Sequence, residues 1–165
     1  MKTVLFLFAW LLLQGAATAQ ALHEQSHSGH MVWHNQVEYH TIQIYRGYGH
    51  LRIWTDSNSG GAGFDPVLTL WRNGVKLAMN DDSPTFNFYQ SQLDAGIELF
   101  GLADGTYVAT ISAFPNFPLG NNISAGFTYD LQAPVPMATW CPPLSPGPVC
   151  RQDRHFSLHW TAQVE

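Results

Sequence analysis

Asp65, Asn80, Asp81, Asp82 and Asp94 stand at the ends of apolar, β-branched segments, and their types and spacing come nearest to a chemistry. Between Asp65 and Asp81 the chain runs Pro-Val-Leu-Thr-Leu-Trp-Arg-Asn-Gly-Val-Lys-Leu-Ala-Met-Asn. Asn73-Gly74 in the middle of that run is a two-residue hairpin signal, because both residues tolerate the positive φ such a turn needs. Folding there sets Asp65 opposite Asp81 and Asp82. Carboxylates gathered with no basic residue beside them repel unless a hard cation, water or backbone N–H groups hold them. Calcium, which takes about six to eight oxygens from carboxylates, carbonyls and water, is the cofactor this group implies. In the competing reading Asp65 and Asp94 cap turns through backbone N–H groups, and Asp81 and Asp82 form a solvated corner.

A second group is imidazole. His23, His27, His30 and His34 recur at intervals of 4, 3 and 4 residues. Such rings bind zinc, copper or nickel when two or more converge, as they would on one face of a helix. Ser26, Ser28 and Gly29 disfavour that helix, so residues 20–36 are expected to be a flexible, His-rich lead-in with weak metal affinity. His155 and His159 occupy alternate positions that can share a strand face. Among aromatics, Trp54 falls on the opposite side of its segment from Leu51 and Ile53, as a candidate for stacking on sugar unless a second layer covers it. Phe114 and Phe117, set between prolines, form a second candidate ligand-binding pair.

Nothing in the chain spells a reaction. There is no Gly-x-Ser-x-Gly elbow, no His-Glu-x-x-His and no phosphate loop. Glu38 and Glu98 could serve a glycosidase only if the fold brought them together across a cleft. The expectation is a non-enzyme.

The elements that must position these residues are short. Segments rich in β-branched and aromatic residues cover 37–45, 49–55, 66–72, 75–80, 93–100, 105–113, 124–131 and 155–163, separated by Gly, Pro, Asn and Asp turns. With 14 Gly, 10 Pro and only 12% charged residues, the composition suits strands joined by tight turns. The fold class expected is all-β, an antiparallel β-sandwich of jelly-roll type with seven to eight strands. Seven Lys and Arg against 12 Asp and Glu leave a net charge of −5, with the basic residues scattered, which argues against nucleic acid as a partner.

Lys2, the apolar run from Val4 to Leu13 and Ala17-Thr18-Ala19 read as a signal peptide over residues 1–19. The run is too short to span a bilayer, and no other membrane-length run follows. In an exported protein, Cys141 and Cys150 closing a proline-rich loop are most simply a disulfide, worth about 2–3 kcal/mol for so small a loop. Residues 37–165 are expected to form one domain.

Gly-Phe-Asp-Pro-Val-Leu-Thr-Leu…Asn-Asp-Asp (63–82), Gln-Leu-Asp-Ala (92–95), Asp-Gly-Thr-Tyr (104–107) and Ala-Gly-Phe (125–127) carry a resemblance. Over about residues 37–130 the chain resembles small exported bacterial proteins of the DVUA0089 family. These in turn resemble the bacterial pre-peptidase C-terminal domain, a β-sandwich appended to secreted peptidases and related to collagen- and carbohydrate-binding modules. The resemblance implies an accessory, non-catalytic module, with polysaccharide or extracellular protein as ligand and a structural calcium. Several members end in a membrane-sorting tail, whereas this chain ends His-Trp-Thr-Ala-Gln-Val-Glu. A secreted or periplasmic location is therefore expected. Two alternatives stand beside this reading: an exported zinc- or copper-handling protein using the N-terminal histidines, and a self-assembling extracellular subunit.

Overall fold

Alternation of apolar and polar residues converts almost segment by segment into strands. The structure, a computed structural model, describes residues 23–45, 49–56, 65–82, 86, 88–141 and 154–162. The expected signal peptide (1–19) and Cys150 lie outside these residues, and with Cys150 so does the expected pairing to Cys141. The strands are β1 (His23–His30), β2 (Val37–Ile44), β3 (Gly49–Thr55), β4 (Pro66–Arg72), β5 (Val75–Asn80), β6 (Gly96–Leu102), β7 (Gly105–Ala113) and β8 (His155–Ala162). They form two four-stranded antiparallel sheets, ordered β1-β8-β3-β6 and β2-β7-β4-β5. The first strand pairs with the eighth, the second with the seventh, the third with the sixth and the fourth with the fifth. That nesting of antiparallel pairs, shared between two sheets, is the jelly roll.

The space between the sheets is filled from both sides. Leu51 and Ile53 of β3 and Phe156, Leu158 and Trp160 of β8 meet Ile42, Ile44, Leu68, Leu70, Tyr107 and Ile111 of the other sheet, all buried. Asn73 (φ 50°) and Gly74 (φ 79°) make the expected β4–β5 turn. A bulge between Leu70 and Trp71 then shifts the register, so Leu68 pairs with Asn80. An uninterrupted hairpin from that turn would have set Val67 there. The extra residue re-aims the end of β5, as bulges do. Val75, Leu77 and Met79 of β5, at the edge of its sheet, are 50%, 42% and 41% exposed.

Two expectations are corrected. Residues 23–30, expected within a flexible lead-in, form β1, paired along its length with β8. Its sequence, His-Glu-Gln-Ser-His-Ser-Gly-His, has no apolar alternation, so neither period nor propensity announces it. Residues 124–131, expected as a strand, instead hold a 3-10 turn at Ile123–Ala125 and further turns. This segment closes the second sheet's outer face. Val67, Thr69 and Trp71 alternate with core residues yet stay buried, with the Trp71 ring edge-on to Phe127 at 6.4 Å and its Nε1–H donating to Thr110 Oγ1 at 2.9 Å.

β1 is seated partly by an absence of side chain. A Cβ on Gly29 would lie 2.5 Å from Cζ of Phe156, its cross-strand partner, which is 1% exposed and has nowhere to swing. Gly29→Ala is therefore expected to destabilise the protein by about 1–3 kcal/mol in a denaturant melt. Ser26→Ala, on the exposed side of the same strand, should change it by less than about 0.5 kcal/mol.

Candidate functional site

The two outer faces differ. That of the second sheet is covered over β4 and β7, whereas the other presents polar and aromatic side chains. Along β3, His50, Arg52 and Trp54 alternate with the core residues Leu51 and Ile53, and β6 supplies Glu98 and Phe100 opposite them. Glu98 Oε1 accepts from Arg52 Nε at 2.7 Å and His50 Nε2 at 2.8 Å. The Arg52 hydrogen bond first, then that of His50, holds the half-buried Glu98 carboxyl below its ordinary range. The Phe100 ring lies parallel to His50, with centroids 4.4 Å apart and planes 7° apart, and is 71% exposed. A bulge between Gly49 and Leu51 puts Phe100 there, with Gly101 (φ 67°) taking a left-handed conformation that other residues adopt reluctantly.

Next to this group lies a charged triple. His159 Nδ1 lies 2.9 Å from Glu24 Oε1, and its Nε2 lies 3.0 Å from Asp56 Oδ2 as an ion pair. Its ring stacks on Trp54 at 5.5 Å and 11°. The Asp56 carboxylate facing Nε2 raises His159 above the ordinary 6.5, with Glu24 adding to it and burial opposing it. Burial opposes ionisation of Asp56, yet hydrogen bonding and charge from His159, helped by Ser157, hold its pKa below 3.8. The His159 ring, set between two carboxylates, thus ties β1, β8 and the end of β3 together.

Trp54, a candidate exposed aromatic unless covered, is covered: it is only 4% exposed, and its Nε1–H has no acceptor among the described residues. The β5–β6 connection covers it: Phe86 stands 6.4 Å from the Trp54 ring and 5.6 Å from the Arg52 guanidinium. Gln90 ties that connection down by donating to the Thr55 and Ala95 carbonyls. Phe88 and Tyr89, in the same connection, are 94% and 70% exposed. Phe114 and Phe117 are half-buried and meet edge to face at 5.4 Å. Between them, buried Asn116 accepts from Tyr129 N and Ser112 Oγ, through its side chain and its carbonyl. They bridge the sandwich end and do not project from it.

The acidic group is only partly assembled. Asn80 donates to the Asp82 carbonyl at 2.7 Å and accepts from Gly96 N at 2.9 Å, and Asp81 Oδ1 accepts from Asp82 N. Asp94 is fully buried, its Oδ1 accepting from Thr55 Oγ1 at 3.2 Å and its Oδ2 from Ser91 N at 2.8 Å, so it caps a turn. Asp65, at the start of β4, accepts Phe114 N on its carbonyl. Among the described residues no three His, Cys, Asp or Glu side chains gather as metal ligands would.

The four N-terminal histidines separate. His34 is buried between Tyr129 and Trp140; its Nδ1 accepts from Val135 N and its Nε2 contacts Gln132 Oε1, so it serves packing. His27 stacks on His40 across the sandwich edge at 5.1 Å. Burial first, then the nearby His27, lowers the His40 pKa. His30 faces His155 on β8, while His23 begins β1 exposed. Glu38, beside Gln36, lies on β2, and Glu98 lies on β6 of the other sheet. Sequence reading named Trp54 and Glu98 separately and did not single out Glu24, Asp56 or Phe100. Their signal would have been the register of β1 and the Gly101 bulge.

The sign of the pH response follows from these shifts. A raised His159 pKa gives stability fully present below 6.5 and lost as pH rises through the folded value, whereas Asp56 contributes above 3.8 and loses its share as pH falls through its depressed value. His40, being lowered, acts oppositely to His159, so a difference between variants isolates the triple. In thermal melts, the stability gap between wild type and His159→Gln should be widest near pH ~6 and narrow as pH approaches ~9.

No family model matches the chain, and no curated protein matches it.

Proposed function

We propose that this protein is an exported, non-catalytic binding module that takes a polysaccharide on the outer face of the β1-β8-β3-β6 sheet. One observation carries the reading: Phe100, 71% exposed and braced on His50, stands beside an Arg52–Glu98 pair fixed by hydrogen bonds. The C–H face of a sugar ring packs on an aromatic face, while its hydroxyls need donors and acceptors held at set positions. Here one ring and three polar side chains are ordered before any ligand arrives, which lowers the entropy cost of binding. Phe88 and Tyr89 would extend the contact. Export rests on the charged, apolar and small-residue order of residues 1–19, and the accessory role on the resemblance over residues 37–130.

Calcium enters this reading as a stabiliser at the Asp81–Asp82 corner, completed by backbone carbonyls and water, since Asn80 and Asp94 hold turns by their own hydrogen bonds. Added calcium is expected to raise the melting temperature after EDTA treatment, and Asp81→Ala to abolish the rise by removing a ligand of the folded state. An unchanged melt removes calcium from the account.

Retention on insoluble polysaccharides and affinity electrophoresis in soluble ones test the main proposal. Phe100→Ala should weaken binding at least about tenfold, equivalent to ~1.4 kcal/mol, with the melting temperature nearly unchanged. Equal binding by wild type and Phe100→Ala, or binding only to extracellular protein, contradicts it.

A further inference from the structure

We propose that His30 on β1 and His155 on β8 form a two-imidazole site for a divalent transition metal, with copper(II) bound most tightly. The two residues are direct cross-strand partners. Both are exposed, and their rings meet at 67° with centroids 5.2 Å apart. Side chains opposite one another in an antiparallel ladder have Cβ atoms about 4.5–5.5 Å apart. A metal bonded about 2.0–2.1 Å from one nitrogen of each ring fits that separation. The ladder fixes both Cβ atoms, so the rings need only turn about their side-chain torsions to aim at one point.

Among the other described histidines, no two rings are set to share a metal. His27 and His40 lie nearly face to face, 24° from parallel, which presents ring faces rather than lone pairs to each other. His34 uses both ring nitrogens in packing contacts, and His159 has a carboxylate at each. His50 lies against Glu98.

The chemistry selects the metal. With no group of three or more His, Cys, Asp or Glu ligands among the described residues, water or small anions complete the coordination. Structural zinc draws four protein ligands and catalytic zinc about three. Copper(II) stands highest in the divalent series for nitrogen sites and accepts two adjacent imidazoles in a tetragonal plane. Imidazole ligates only in its neutral form, so uptake weakens in acid. A metal here would also staple β1, which has no apolar side chain, to β8. The site is on the β1 edge of the sheet, opposite the β6 edge that carries Phe100, and does not depend on the ligand proposed there.

Copper(II) titrated into the untagged protein, followed by calorimetry and electron paramagnetic resonance, tests the pair. One copper per chain with a two-nitrogen signature is expected. His30→Ala and His155→Ala should each lower affinity at least about tenfold, and the double variant little further. His23→Ala should leave affinity unchanged. His155→Gln, with melts recorded without metal, separates lost ligation from lost folding, and the copper-induced rise in melting temperature should vanish with either histidine. Unchanged affinity in both single variants, or loss with His23→Ala and not with the pair, overturns the site.

Discussion

The rest of the structure depends on the pairing of β8 along both its edges, with β1 on one side and β3 on the other. The last strand lies inside its sheet, and each of its faces has a task. Phe156, Leu158 and Trp160 fill the space between the sheets, while His155, Ser157 and His159 point to the outer face. Strand alternation makes these two sets inseparable: a one-residue slip of β8 would exchange core for surface. β1 then docks on a strand already fixed by apolar burial. It is held by backbone pairing, the Gly29 and Phe156 fit, the Glu24 contact to His159 and the 3.1 Å approach of the Ser28 and Ser157 hydroxyls.

The outer face follows from the same constraint. Glu98 serves both Arg52 and His50, and His159 serves both Glu24 and Asp56. Glu98 therefore answers two side chains of β3, and His159 one on each side of β8, so both need the register that β8 and the Gly101 bulge impose. Their effect is to hold side chains in place beside Phe100. The second sheet has lost that option, because residues 114–131 pack over Val67, Thr69 and Trp71.

Much of this order was legible in the chain. Seven of the eight expected strands from 37 onward matched within a few residues, because Val, Ile, Leu and aromatic residues alternate with polar ones between Gly, Asn and Pro turns. Asn73-Gly74 located its hairpin outright, and jelly-roll nesting was the natural solution for strands of that number. β1 was hidden because its residues are polar on both faces, so only its partner strand makes it a strand. Residues 124–131 carried aromatic strand-like content that serves instead as a lid over Trp71. β3 alone left open whether Trp54 is exposed or covered, since its cover, Phe86, comes from a connection between other strands. The Glu24, Asp56 and His159 triple joins residues separated by more than 100 positions, which no local pattern encodes.

Native-state hydrogen exchange of the β8 amides tests the central dependence most directly. The amides of residues 157–161 should exchange in the slowest class, together with those of β7 at the centre of the other sheet. Exchange of β8 as fast as a fraying edge strand, with β7 still protected, would contradict the account, because neither the core nor the outer face could then rest on it.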